Sequence, residues 1–248
     1  MEHKDWKNVS SSDEESNSDF DLQDMNVEER HQNPYSTLCT SLSKLQFRKD
    51  ISKAVWCEDV LMAEVIAKKG SIWATTGVVR SSKIYCLIEE IAFLAERGAL
   101  ILVDVRDTVL SLNDIYNKLS DENNGCCWES FEAYRHLKSL GYIVGRHGLP
   151  WSLKKDENSG SSVSLKCTLE NDEKKPNFDV YPPDSKFKKT SPGNPSFMVY
   201  VLRGDLPSKP VVEQLERECS GTLLKFCYVD HGRVSFFSTD KVELPVLL

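Results

Sequence analysis

Four short apolar runs in the last third of the chain decide most of what it can become. FDVY (178–181), SFMVYVLR (196–203), LLKFCYVD (223–230) and RVSFFS (233–238) are rich in aromatic and β-branched residues. That composition suits strands rather than helices. Asp230-His231-Gly232 between the last two runs predicts a tight hairpin turn. One helix, PVVEQLEREC (210–219), interrupts the series, with Pro210 placed at its start. KVELPVLL at the C-terminus adds another apolar strand carrying Val242, Leu244, Val246, Leu247 and Leu248. An apolar strand edge of this kind either aggregates or pairs with a partner, which makes these five residues interface candidates.

Upstream the period changes. CEDVLMAEVIAKK (57–69) places Leu61, Met62, Val65 and Ile66 on one helical face, with Lys68, Lys69 and Gly70 as C-terminal signals. SIWATT (71–76) reads as strand-like, and RSSKIYC (80–86) leads into a second helix that repeats Leu87, Ile91, Leu94 and Ala95 up to Gly98. ALILVDV (99–105) is expected to be a buried strand. Ser111 followed by Asp114 gives a capping-box start to a third helix with Ile115 and Leu119. Trp128, Phe131, Tyr134, Leu137 and Leu140 form a further helical stripe, stopped by Gly141 before YIV (142–144).

The fold class expected is mixed α/β. A helix-rich α/β domain over 39–124 meets a turn-rich boundary at Asp121–Gly125, and a mixed-sheet domain over 125–248 follows. Residues 152–175 are polar and read as an insertion, although Val163, Leu165, Cys167 and Leu169 alternate as a strand would. Residues 1–38 are too polar to bury an apolar core and are expected to be disordered. Their first thirty positions hold ten acidic and three basic residues, which accounts for the whole net charge of −7. The body is therefore electrically neutral, and the acidic pI does not argue against contact with nucleic acid. Ser10, Ser11 and Ser12 ahead of Asp13, Glu14 and Glu15 suit an acid-directed kinase as well as a plain solubilising tail.

Several classes are set aside by pattern. No run approaches the length of a membrane span, and the N-terminus has no apolar leader. Eight cysteines without a C-x-x-C pair, and five scattered histidines, argue for reduced thiols and against zinc. No metal and no cofactor is expected.

Three stretches in order resemble one family. GSIWATTGVVRSSKIYCLIEEIAFLAERGALIL (70–102) resembles the N-terminal domain of the large non-catalytic subunit of the eukaryotic tRNA-splicing endonuclease. YRHLKSLGYIVGRH (134–147) is similar to the opening helix and strand of the endonuclease domain that all subunits of that enzyme share. The strands from FDVYPPDSKFKKTSPGNPSF onward resemble the rest of that domain, in its plant form. The resemblance implies a nuclear heterotetramer of two catalytic and two structural subunits that excises introns from precursor tRNA. The complex leaves 2′,3′-cyclic phosphate and 5′-hydroxyl ends, for which its catalytic subunits use a Tyr, a His and a Lys as base, acid and electrostatic stabiliser.

Carried onto this sequence, the Tyr position falls on Tyr181 in FDVYP. The His position falls on Asn194 in PGNPSF, which has no proton to give at neutral pH. The Lys position falls on Thr222 or Leu223, and Lys225 fits only with a short gap. No catalytic residue is therefore expected, Tyr181 being vestigial, and the chain reads as a structural subunit. Arg80, Lys83, Arg146, Lys186, Lys188 and Lys189 are candidates for tRNA backbone contact, with His147 beside Arg146. Two other readings stay open. One is a nuclease using Tyr181 with His231 or Lys225; the other is a winged-helix-like protein- or nucleic-acid-binding adaptor.

Overall fold

The computed structural model describes residues 51–153, 175–184 and 186–239. All of these fall within one unit, Ser41–Leu248. The acidic tail, nearly all of the polar insertion and the C-terminal strand with Val242, Leu244, Val246, Leu247 and Leu248 lie outside the described residues.

The chain is mixed α/β. Five strands of the first sheet come from β1 (Ser52–Cys57), β2 (Met62–Ala67), β3 (Val78–Arg80), β4 (Lys83–Cys86) and β5 (Leu100–Val103), and a two-residue strand, β7 (Ser152–Leu153), completes it. Their order is β5-β1-β2-β4-β3-β7. The second sheet has the order β11-β10-β9-β8-β6, from β6 (Ile143–Arg146), β8 (Phe178–Tyr181), β9 (Phe197–Val201), β10 (Leu223–Asp230) and β11 (Arg233–Phe237). The first half thus holds more strand than its sequence suggests.

The helix expected over 57–69 is absent. SKAVWC and MAEVIA instead form an antiparallel pair, Cys57 opposite Met62 and Val55 opposite Glu64. A helix and a strand both accept the apolar spacing of this segment, and tertiary pairing decides between them. Ala54 and Trp56 point into the core beside Ala63 and Val65, while Ile66, at a shift in register, is left half exposed. SIWATT is likewise not a strand. Ile72–Ala74 makes a 3-10 turn that buries Trp73, whose indole N–H donates to Ser52 Oγ at 3.2 Å and to the Lys69 carbonyl at 3.0 Å. RSSKIYC is a hairpin with Ser81 and Ser82 both at positive φ, so Arg80 and Lys83 face each other across its tip.

The helices follow expectation more closely. α1 (Ile88–Glu96), α2 (Leu112–Ser120), α3 (Trp128–Ser139) and α4 (Lys209–Glu218) are the α-helices among the described residues. α2 opens on a capping box: Ser111 Oγ accepts from the Asp114 amide at 3.2 Å, and Asp114 accepts from the Ser111 amide at 2.8 Å. The hairpin between β10 and β11 turns at His231 and Gly232, both at positive φ.

One buried cluster draws on both sheets. It joins Ala54, Trp56, Val65 and Leu102 to Ile91 and Leu94 of α1, Phe131 and Tyr134 of α3, and Val144, Phe178, Val180 and Val199. Phe93 and Tyr134 meet edge to face at 5.9 Å. α4 covers the opposite face of the second sheet through Leu215, packed with Met198, Leu224 and Phe226.

Candidate nucleic-acid interface

Strand parity fixes what can surround Tyr181. Successive side chains of a strand point to opposite faces. Tyr181 shares a face with Asp179, Asp179 lies opposite Met198, and Met198 lies opposite Leu224. Lys225 therefore belongs to the other face, with Phe197 and Val199. Its ammonium sits 4.5 Å above the Phe197 ring, as that assignment requires. His231 is far away along β10: eight residues of strand separate it from the level of Thr222, on the order of 25 Å. It is fully exposed and bonded to Asp230 at 2.6 Å. Neither partner proposed for a Tyr181-based nuclease stands beside Tyr181.

The ring of Tyr181 is buried in an aromatic corner. Ile143 pairs with it across the strands, and Trp151 and Phe187 meet it edge to face at 6.2 and 5.4 Å. Burial raises the phenol above its ordinary pKa, and the nearby Asp179 charge pushes the same way. A base needs the reverse. Trp151 reaches this corner because Gly145 makes room: a Cβ there would lie 2.6 Å from the Trp151 ring. The Trp151 carbonyl accepts from Val79 N at 2.8 Å, tying the corner to the first sheet.

A cleft of about 400 Å³ opens alongside, lined by Gly148, Pro150, Trp151, Asp179, Tyr181 and Lys189 among others. At its edge His147 Nδ1 and Asp179 Oδ1 are 2.7 Å apart, so His147 is engaged by a carboxylate. Asn194 is exposed on the loop that leads to β9.

The candidate cations sort into two groups. Arg146 is corrected from the sequence reading: only 9% exposed, it makes a two-pronged bond to Glu89 of α1, with Nε and Nη2 each 2.7 Å from a carboxylate oxygen. Nη2 also donates to the Asn124 carbonyl at 3.3 Å. Burial opposes its charge, yet Glu89 more than offsets this and holds the guanidinium proton more tightly than usual. A guanidinium committed in this way presents no face to a phosphate. Lys189 is half buried, donating to the Thr76 carbonyl. Lys83 pairs with Glu64 at 2.8 Å. Lys186 and Lys188 are exposed, and Arg80 lies at the mouth of a smaller pocket with Met62, Val78 and Tyr85. The residues that sequence reading missed are Glu89 and Glu90. Two carboxylates set between Ile88 and Ile91 of an apolar stripe are a visible signal of buried pairing.

Comparison with known proteins follows this division of the chain. Residues 38–104, which include β1 to β5 and α1, match the family described as tRNA-splicing endonuclease subunit sen54 N-term. Over 107 residues the chain is 33% identical to the tRNA-splicing endonuclease subunit SEN54 of Eremothecium gossypii, a stretch covering 39% of this chain and 23% of that protein. The similarity thus spans less than a quarter of the relative's length. Residues 38–104 are what this chain has in common with the sen54 N-terminal family.

Proposed function

We propose that this protein is a non-catalytic subunit of a tRNA-splicing endonuclease, which scaffolds a catalytic subunit and helps position precursor tRNA for intron excision. The match of residues 38–104 to the sen54 N-terminal family supports the subunit assignment. The observation that carries the non-catalytic reading is strand parity: Tyr181 and Lys225 lie on opposite faces, and Asn stands at position 194. A phenol with a raised pKa and neither Lys225 nor His231 beside it retains almost none of the rate advantage of a complete set. In this reading the protein acts in the nucleus within a heterotetramer. Its C-terminal segment 241–248 meets a partner subunit, and RNA cleavage to 2′,3′-cyclic phosphate and 5′-hydroxyl ends belongs to the catalytic subunits.

The test is single-turnover cleavage of a precursor tRNA by a reconstituted complex carrying Tyr181→Phe, with each exon–intron junction scored separately. Both junctions are expected to be cut at the unmodified rate. Loss of one junction from an intact complex would make this subunit catalytic.

A further inference from the structure

Residues 186–189 alternate in a way that the charge pattern alone does not reveal. Lys186 and Lys188 are exposed, whereas Phe187 and Lys189 turn inward. Phe187 enters the aromatic corner, 5.1 Å from Trp151 and 5.4 Å from Tyr181. Lys189 crosses to the turn before β3, where its ammonium donates to the carbonyl of Thr76, 113 residues earlier in the chain. That turn is itself held from below. Glu90, fully buried, accepts from the Gly77 amide at 2.7 Å and from the Leu87 amide at 2.9 Å. Lys138 of α3 approaches Thr76 Oγ1 at 3.5 Å. Backbone bonds stiffen the segment at both ends: the Phe187 amide donates to Asp184 O at 3.2 Å, and the Ser191 amide to Lys188 O at 3.0 Å.

We propose that Phe187 and Lys189 are positioning residues that pin segment 186–192 to the aromatic corner and to the turn before β3, so that Lys186 and Lys188 stand outward as a fixed cationic pair for the phosphodiester backbone of RNA. The RNA half of this rests on the function proposed above; the pinning does not. Lys189 acts without touching RNA. Two lysines on a loose loop must lose backbone freedom on binding, and a loop already held has lost it beforehand.

Two measurements on the full chain decide the matter. In hydrogen exchange, Lys189→Met should speed exchange of the Ser191 and Gly77 amides by about ten- to a hundred-fold, the loss of one charge-assisted hydrogen bond. Phe187→Leu, which removes the other anchor, should speed Ser191 in the same direction and serves if the Met variant does not fold. Unchanged exchange at Ser191 in both variants overturns the pinning. The second measurement is affinity for a precursor tRNA transcript at several salt concentrations. Lys186→Ala with Lys188→Ala should weaken binding and flatten the salt dependence, each lost phosphate contact lowering the slope by about 0.7–0.9. Lys189→Met should weaken binding in the otherwise unmodified chain and add nothing in the doubly substituted one. An equal loss in both backgrounds means that Lys189 meets RNA itself, and the positioning role is overturned. Absence of RNA binding by the unmodified chain removes the RNA half, while accelerated exchange at Ser191 still upholds the pinning.

Discussion

The two sheets are tied at two ionic seams, and the seams differ in kind although they start from neighbouring residues. Glu89 and Glu90 occupy the first turn of α1, where the helix dipole favours carboxylates. Glu89 meets Arg146 of β6 in a dry, two-pronged pair. Glu90 meets no fork. It is satisfied by two backbone amides, and the cations nearest its charge, Lys189 and Lys138, bond to Thr76 instead. Burial raises the Glu90 carboxyl and lowers both lysines, with Glu90 opposing the lysine shifts only in part. The first seam is a matched two-pronged pair that leaves only Arg146 Nη1 without an acceptor, and the second is held with unrelieved desolvation. A planar guanidinium suits the first because two donors match two acceptors, whereas a flexible ammonium suits a turn carbonyl.

The largest effect should come from breaking the first seam on one side. Arg146→Ala or Glu89→Ala leaves a charge buried without its partner, which typically costs about 3–5 kcal/mol. Chemical denaturation should show this as a lower midpoint at unchanged slope. Replacing both residues with apolar ones of similar volume should recover most of the loss. If either single substitution costs under about 1 kcal/mol, water reaches the pair and the seam is not dry.

A smaller loss is expected at Gly145, which links the seams to the aromatic corner. Gly145→Ala places a methyl group 2.6 Å from the ring of Trp151, whose backbone carbonyl is tied to Val79, so that ring or backbone must move. Overpacking of this kind costs about 1–3 kcal/mol. Trp151 fluorescence is the direct reporter. A spectrum identical to that of the parent would show that the corner yields without effort.

The contrast between seams also explains what could be read from sequence. The capping box at Ser111 and Asp114 and the Asp230-His231-Gly232 turn are local devices, each complete within a few residues, and both stand where the sequence puts them. The β1–β2 pair depends on partners. SKAVWC alternates correctly for a strand, but MAEVIA also fits a helix, and only pairing with Cys57, Val55 and Ala54 resolves it. The site divides in the same way. Tyr181 ends the strand that FDVY suggests, while the commitments of Arg146 and Lys189 depend on residues 57 and 113 positions away. A basic residue in a linear sequence carries no mark of which acid it will find.

The smallest effect, and the one that sharpens the comparison most, is in the pH dependence of the second seam. A lysine whose folded pKa lies below 10.5 binds fewer protons folded than unfolded in the window between the two values. Stability contributed by such a group rises with pH across that window, because the cost of burying its charge is relieved as the proton leaves. The buried thiols act oppositely. Cys219 is pushed up to about 11 and Cys227 to about 12 by burial, so their contribution falls as pH rises above the ordinary thiol range. Comparing the parent with Lys189→Met cancels Cys219 and Cys227, on which Lys189 has no influence. The difference in unfolding free energy, parent minus variant, should therefore climb as pH rises through the lysine window. Urea titrations from neutral pH to pH 10.5 would measure it. Arg146 titrates beyond this range, so the parent compared with the double variant Glu89→Leu with Arg146→Met, which leaves no unpaired carboxylate, should give a difference that stays flat over the same interval. A flat difference for Lys189 as well would mean that its ammonium is as well solvated as any on the surface, and the two seams would then be alike in having no buried charge left uncompensated.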